Sequence, residues 1–383
     1  VRKRIIAAVV GLCLSLCLVS AQGEELVDVV ETDASSYVLM EQETGEVLVG
    51  KNIHDQLEPA SVTKVMTMLL VVEALDSGAI STDDLVTTSE HAASMGGSQI
   101  YLEPGETMTV DDLLKSVAVV SANDAAVALA EYLAGSETAF VEEMNGRAAE
   151  LGMEDTHFVN CNGLPAEGHV TSAYDIALMS RELMTHSRIT QYTTIWMDEV
   201  RNGEFQLSNT NKLIKTYDGI TGLKTGYTDS ARYCLSATAE REGMSLIATV
   251  MGASTSQLRF GTASQLLDYG FTHYALVDIT LEDALPPVVV KGGQADCVQP
   301  QLTGNHHLLL PKTQAGAVTT EVELSDSVEA PVAVGDTLGK LNVYVDGQLR
   351  DSIPLTAAQG VEELTFSVVF RRLVSAMELK DFS

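Results

Sequence analysis

Residues 60–75, ASVTKVMTMLLVVEAL, are apolar on nearly every face of the helix that their spacing implies. Pro59 stands just before the segment and Ser77-Gly78 stops it. A helix without a polar face belongs in the middle of a domain, with other elements packed around it. Ser61 and Lys64 interrupt the apolar run at its start. Lysine is almost never fully buried without a partner or a purpose. A capping serine beside a surface lysine is the commonplace explanation, and it needs a surface that this helix lacks.

In the first turn, the Ser61 hydroxyl lies near unpaired backbone N–H groups and the positive end of the helix dipole. Lys64 is one turn on, on the same face. A serine hydroxyl is a weak nucleophile and needs a neighbouring base. Lysine can serve only if its reference pKa of ~10.4 is lowered by burial or by nearby positive charge, which Lys224 could supply. Ser121-Ala122-Asn123 falls in a break within the helical region Val110 to Leu133. A hydroxyl there can pass a proton between Lys64 and a leaving group, and the amide can hold Lys64 and a substrate backbone. Taken alone, a helix N-cap followed by Asp124 is the simpler explanation. Lys224-Thr225-Gly226, followed by Tyr227-Thr228, falls where a strand begins. Lys224 and Thr225 can bind a carboxylate, and Gly226 lets a substrate lie against the strand edge. Each motif is weak by itself. In this order, 60 and 103 residues apart, they form the constellation of serine acyl-transfer enzymes that penicillins acylate.

The N-terminus reads as an export signal: Arg2, Lys3 and Arg4, an apolar run from Ile5 to Val19, and Val19-Ser20-Ala21 as a cleavage site, so that the mature protein begins at Gln22. The run has fifteen residues, short of the ~20 that span a bilayer. Cys17 follows Leu16 rather than a small residue, which disfavours lipoprotein processing. The full chain carries −30, and loss of the signal's three cations deepens this to −33. So acidic a surface argues against nucleic acid as a partner and against general attraction to anionic lipid. It suits a solvated, soluble exported protein. Cys161, Cys234 and Cys297 remain, too few and too odd in number for a disulfide framework.

Ser36 to Lys51 reads as a β-hairpin around Glu43-Thr44-Gly45. Thr171 to Thr185 and Thr262 to Tyr269 read as helices, and Cys234 to Thr238 and Leu246 to Met251 as strands about a turn at Glu240 to Gly243. The expected fold is α+β: an antiparallel sheet assembled from both ends of a first domain, flanked by helices. Beyond about Leu276, Pro286-Pro287, Gly292-Gly293, Gly335-Asp336 and the hairpin turn Asp346-Gly347 punctuate short β-rich runs, which suggests a separate small all-β domain. The expected division is 1–21 signal, 22–276 catalytic domain, 277–360 β-rich domain and 361–383 an amphipathic segment. In that segment Phe366, Val369, Phe370, Leu373, Val374 and Met377 recur at helical spacing.

From Tyr37 to about Tyr274 the chain resembles the low-molecular-mass penicillin-binding proteins, the serine-type D-alanyl-D-alanine carboxypeptidases of peptidase family S11. The resemblance rests on Pro59-Ala60-Ser61-Val62-Thr63-Lys64-Val65-Met66-Thr67, on Asn162-Gly163-Leu164-Pro165 with His169 and Thr171-Ser172-Ala173-Tyr174-Asp175, and on Asp218-Gly219 with Lys224-Thr225-Gly226-Tyr227-Thr228. It implies the β-lactamase/transpeptidase-like fold, and an oxyanion hole from the backbone N–H groups of Ser61 and Tyr227. It also implies a β-rich second domain, a C-terminal amphipathic anchor and a place on the outer face of the bacterial cytoplasmic membrane. The substrate it implies is the peptidoglycan pentapeptide, with β-lactams as inhibitors. Two departures stand out: a Thr221-Gly222-Leu223 insert before Lys224, and Arg232 where the family usually has Gly. Arg259 is a candidate second carboxylate anchor; an exposed arginine at a helix start explains it about as well.

Three alternatives compete. A class A β-lactamase needs a glutamate-positioned water, for which Glu167 is placed, but Ala122 stands where that class usually has Asp. The extra β domain also argues against it. A catalytically silent wall-binding protein of the same fold would have little reason to keep all three motifs. A zinc peptidase is disfavoured because the eight histidines form no His-Glu-x-x-His. The expectation is a D,D-carboxypeptidase that needs neither metal nor cofactor.

Overall fold

The computed structural model describes residues 29–281 and 283–378, with side chains to 375. The signal expected at 1–21 and the expected start at Gln22 lie outside the described residues.

Five antiparallel strands form the main sheet in the order Val47–Lys51, Ser36–Glu41, Met244–Ala253, Arg232–Arg241, Ile220–Thr228. Sequence neighbours pair at each end, while the central pairing of 36–41 with 244–253 joins the two ends of the domain. Successive side chains on a strand face opposite ways. Val38 and Met40 accordingly enter one core, and Tyr37 and Leu39 enter another on the opposite face. The second core is closed by the helix Ser256–His273 through Phe260, Leu266, Leu267 and Phe271. Helices therefore cover both faces.

The segment 60–75 lies at the heart of the first core. Val62, Val65, Met66, Met68, Leu69, Val71 and Val72 have no exposed surface. Each such side chain contributes ~1.5–3 kcal/mol relative to exposure, enough together to fix the helix within its envelope. The envelope is formed by the helices Val110–Val120, Asn123–Ala134, Glu137–Glu150 and Ala173–Thr185. Two details differ from expectation. Residues 60–63 form a 3-10 turn and the α-helix proper begins at Lys64. Lys224-Thr225-Gly226 lies inside its strand, not at the start, because pairing with 232–241 extends from Ile220 to Thr228.

After the sheet, Tyr274–Ile279 pairs with His306–Pro311, and an all-β unit follows. Its four-stranded sheet runs Pro300–Leu302, Gln348–Ala357, Thr337–Val345, Val318–Leu324. Asp346 and Gly347 both take positive φ (50° and 74°) in the hairpin between two of these strands, as a two-residue turn with right-handed twist requires. Small separate cores around Val298, Leu338 and Ala357 and around Leu341, Val343 and Leu355 stabilise the unit. The chain is thus α+β with a small β unit after it. The helix Phe366–Glu378 comes last.

Candidate active site

Three walls meet at Ser61. The 3-10 turn presses against the middle of the edge strand 220–228. A Cβ on Gly226 would stand 2.9 Å from the Pro59 carbonyl oxygen and 3.1 Å from the Ser61 nitrogen. Glycine at this point is a condition of the two backbones meeting.

Lys64 is fully buried. Its Nζ is 3.1 Å from Ser61 Oγ, 2.5 Å from Asn123 Oδ1 and 2.5 Å from the Asn162 carbonyl oxygen. Burial lowers its pKa to about 7, against the smaller opposing pull of Cys161 and Asp124. Burial, and not the charge of Lys224, is therefore the main cause of that depression.

The second motif sits in the break between helices, as expected, but the capping explanation does not hold. Ser121 ends the helix 110–120 at φ 64°, and its buried Oγ has no hydrogen-bond partner among the described residues. Asn123 is the first residue of the next helix. Its amide nitrogen donates to the Gly96 carbonyl and its backbone N–H to the Ser98 carbonyl, both at 2.7 Å. Asp124 accepts from the backbone N–H groups of Ile100 and Leu102, which ties down the same loop. The amide is thus set by a loop some 25 residues upstream.

On the third wall, Lys224 is buried and its Nζ donates to the Thr225 carbonyl at 2.9 Å. Burial first, then Lys64 and Arg259, hold its pKa well below the usual lysine range. Thr225 Oγ1 lies 2.6 Å from Thr210 Oγ1. The Tyr227 side chain is half exposed, with its ring 4.4 Å from that of Tyr233 and its hydroxyl donating to Asp229. Arg259 is buried rather than exposed at its helix start. Its guanidinium donates to the Gly226 and Cys234 carbonyls and stacks on Phe260. The Thr221-Gly222-Leu223 insert is taken up by a bulge, where the pairing shifts between Ile220 and Gly222. Arg232 is exposed at φ 57°, the left-handed region that glycine enters freely.

Sequence reasoning did not assign three parts of the site: the Asn162 carbonyl on Lys64, the loop behind Asn123, and the Thr210 hydroxyl on Thr225. Two of these contacts are made by backbone atoms, which leave no mark on side-chain type. Glu167, the candidate for positioning a hydrolytic water, is exposed on the turn after Leu164. Among the described residues, no carboxylate hydrogen-bonds Ser61 or Lys64.

Comparison with known proteins agrees with this geometry. Residues 22–255 match the family described as D-alanyl-D-alanine carboxypeptidase, and residues 283–363 match the C-terminal domain of penicillin-binding protein 5. The chain is 44% identical over 345 residues to the D-alanyl-D-alanine carboxypeptidase DacF of Bacillus subtilis, covering 89% of each. Crystal structures of penicillin-binding protein 5 from Haemophilus influenzae align with a TM-score of 0.78 at 31% identity, over 88% of this chain and 100% of that one. Penicillin-binding protein D2 of Listeria monocytogenes, solved in its ampicillin-bound form, aligns over 63% of this chain and 99% of its own, with a TM-score of 0.58 at 34% identity. By the match over residues 22–255 and the kinship with a carboxypeptidase at 44% identity, the chain belongs to the serine-type D-alanyl-D-alanine carboxypeptidases.

Proposed function

We propose that Ser61, Lys64 and Ser121 carry out acyl transfer on the pentapeptide stem of peptidoglycan, with Asn123, Lys224, Thr225, Gly226 and Tyr227 holding the substrate. The observation that carries this reading is the set of contacts at Lys64 Nζ. A neutral amine has two N–H donors and one lone pair. Asn123 Oδ1 and the Asn162 carbonyl take the donors, which leaves the lone pair for the Ser61 hydroxyl. Lys64 removes the proton as Oγ bonds to the carbonyl carbon of the penultimate D-alanine. The oxyanion falls to the backbone N–H groups of Ser61 and Tyr227. The unpartnered Ser121 hydroxyl passes the proton to the departing amine, the C–N bond breaks and D-alanine leaves. Water then attacks the ester, and Ser61 recovers its proton.

Lys224 supplies the anion site. Its charge is disfavoured first by burial, then by Lys64 when that amine is protonated, and by Arg259. A substrate carboxylate within ~4–6 Å favours the charged form, so binding and protonation reinforce one another. Arg259 adds charge from behind and braces the strand through Gly226. No metal or cofactor enters the scheme. A β-lactam presents the same carboxylate and a reactive carbonyl. Glu167 is out on an exposed turn, and among the described residues no carboxylate hydrogen-bonds Ser61 or Lys64 to activate water against the penicilloyl ester.

Product analysis on a muramyl pentapeptide and on benzylpenicillin tests the scheme. The expected outcome is released D-alanine and a long-lived penicilloyl adduct on Ser61. Rapid turnover of the antibiotic with no release of D-alanine would establish the β-lactamase alternative.

We further propose that the last helix rests on a membrane surface at the outer face of the cytoplasmic membrane. Phe366, Val369, Phe370, Leu373 and Val374 are exposed along one stripe instead of packing on the β unit. No helix among the described residues is long and apolar enough to cross a bilayer. Arg371 and Arg372 add only modest attraction, so binding rests on apolar burial.

A further inference from the structure

His169 is buried, and both of its ring nitrogens are engaged. The backbone N–H of Val159 donates to Nδ1 at 2.9 Å, and Nε2 lies 2.8 Å from Thr63 Oγ1. Thr63 has one hydroxyl proton, which it donates to the Ala60 carbonyl at 2.8 Å. At the histidine it must therefore accept. Both ends of the ring demand the same tautomer, with the proton on Nε2. The bonds run one way: Val159 N–H to His169, His169 N–H to Thr63, Thr63 O–H to the Ala60 carbonyl. Burial, with smaller contributions from His157 and Lys64, holds the imidazole pKa down to about 4, so the neutral ring persists at neutral pH.

The chain of bonds ends on a peptide plane with a particular duty. The Ala60 carbonyl and the Ser61 N–H belong to one planar, trans unit and point in opposite directions. Fixing the carbonyl fixes the N–H. Ala60 itself sits at φ 47°, a left-handed conformation that costs an alanine ~1–2 kcal/mol and persists only where its surroundings over-determine it.

We propose that His169 is a positioning residue for the oxyanion hole, acting through Thr63 to hold the Ala60–Ser61 peptide plane so that the Ser61 N–H faces the reacting carbonyl. This rests on the assignment of Ser61 as nucleophile and oxyanion donor. It also explains why the third residue of the Ser-Val-Thr-Lys motif carries a hydroxyl.

Four variants test it: His169→Ala, His169→Gln, Thr63→Val and Thr63→Ser, each read by three measurements on folded protein. These are the penicillin acylation rate constant, the affinity for a peptidyl boronic acid, and the pH dependence of acylation. The boronate forms a tetrahedral adduct on serine whose oxygen occupies the oxyanion hole, so it reports that hole directly. His169→Ala and Thr63→Val should each slow acylation and weaken boronate binding by the same factor, about ten-fold or more. The two changes combined should cost no more than either alone. The pH midpoint should stay in place, because Lys64 is untouched. Thr63→Ser, and His169→Gln through its amide N–H, should restore most of the loss. If His169→Ala fails to fold, Thr63→Val and His169→Gln carry the test. Unchanged acylation per folded molecule, or a shifted pH midpoint with boronate affinity intact, would overturn the proposal. Failure of Ser61→Ala to abolish acylation would instead overturn the nucleophile assignment beneath it.

Discussion

Gly163 meets Ala60 so closely that a Cβ added to it would lie 1.9 Å from the Ala60 carbonyl oxygen and 2.9 Å from the Ser61 nitrogen. Its φ of 84° is itself unfavourable for any other residue. Gly163→Ala must therefore push the nucleophile turn or the 159–163 segment aside. The expected result is a loss of about 2–4 kcal/mol in stability and at least a ten-fold slower acylation by penicillin. Calorimetry and stopped-flow acylation measure the two. Wild-type values for both would mean that the contact is easily relieved.

Ser61→Ala removes one hydroxyl at a 3-10 turn where no side-chain capping bond is made. Folding should be almost unaffected, with a change below ~1–2 kcal/mol. Release of D-alanine and covalent labelling by fluorescent penicillin should both vanish. Persistent labelling would place the nucleophile elsewhere.

The depressed pKa of Lys64 sets a pH dependence with a definite sign. Only the neutral amine accepts the serine proton, and with a pKa of about 7 its fraction grows as pH rises. Acylation should climb roughly ten-fold per pH unit well below 7 and level off above it. Lys64→Ala should abolish the step. A rate that falls between pH 6 and 8 would contradict the role of Lys64 as base.

Lys224→Ala should distinguish charged from neutral substrates. Carboxylated peptides and penicillins should lose far more than an uncharged ester, by about 100-fold against a few-fold, since one buried ion pair is at stake. Parallel losses for both classes would remove the carboxylate from its account.

The central helix could be read from its pattern, because a helix apolar on nearly every face and too short to span a bilayer has to be buried in a core. The hairpin at 36–51 and the Asp346-Gly347 turn were equally legible, since turn chemistry and alternation are local. The helix Glu137–Glu150 was not. It buries only Phe140, Met144 and Ala148, and Ser136 caps it, so its apolar stripe is too thin to stand out. At the site, Ser61, Lys64 and Asn123 converge as their spacing suggested. The strand position of Lys224-Thr225-Gly226 was misjudged because pairing with 232–241, and not propensity, decides where that strand starts. For Arg259 the sequence left a carboxylate anchor and an exposed helix-start arginine open. Its burial against the Gly226 and Cys234 carbonyls removes the exposed reading and was not legible, because those partners are distant in sequence and silent in composition.

Removing residues 364–383 should free the enzyme from lipid vesicles and leave penicillin binding intact. Sedimentation with vesicles before and after truncation decides this. A truncated protein that unfolds, or a mature enzyme that never sediments, would make the segment structural.

The strand 220–228 closes one side of the main sheet, and an open sheet edge invites another chain to pair with it. Here Pro59, Ala60 and Ser61 stand against the face of that strand at Gly226, beside its open edge. A peptide that paired with this edge would therefore lie alongside the turn that holds Ser61, so the same strand end that could lengthen a sheet would set a substrate beside the proposed nucleophile.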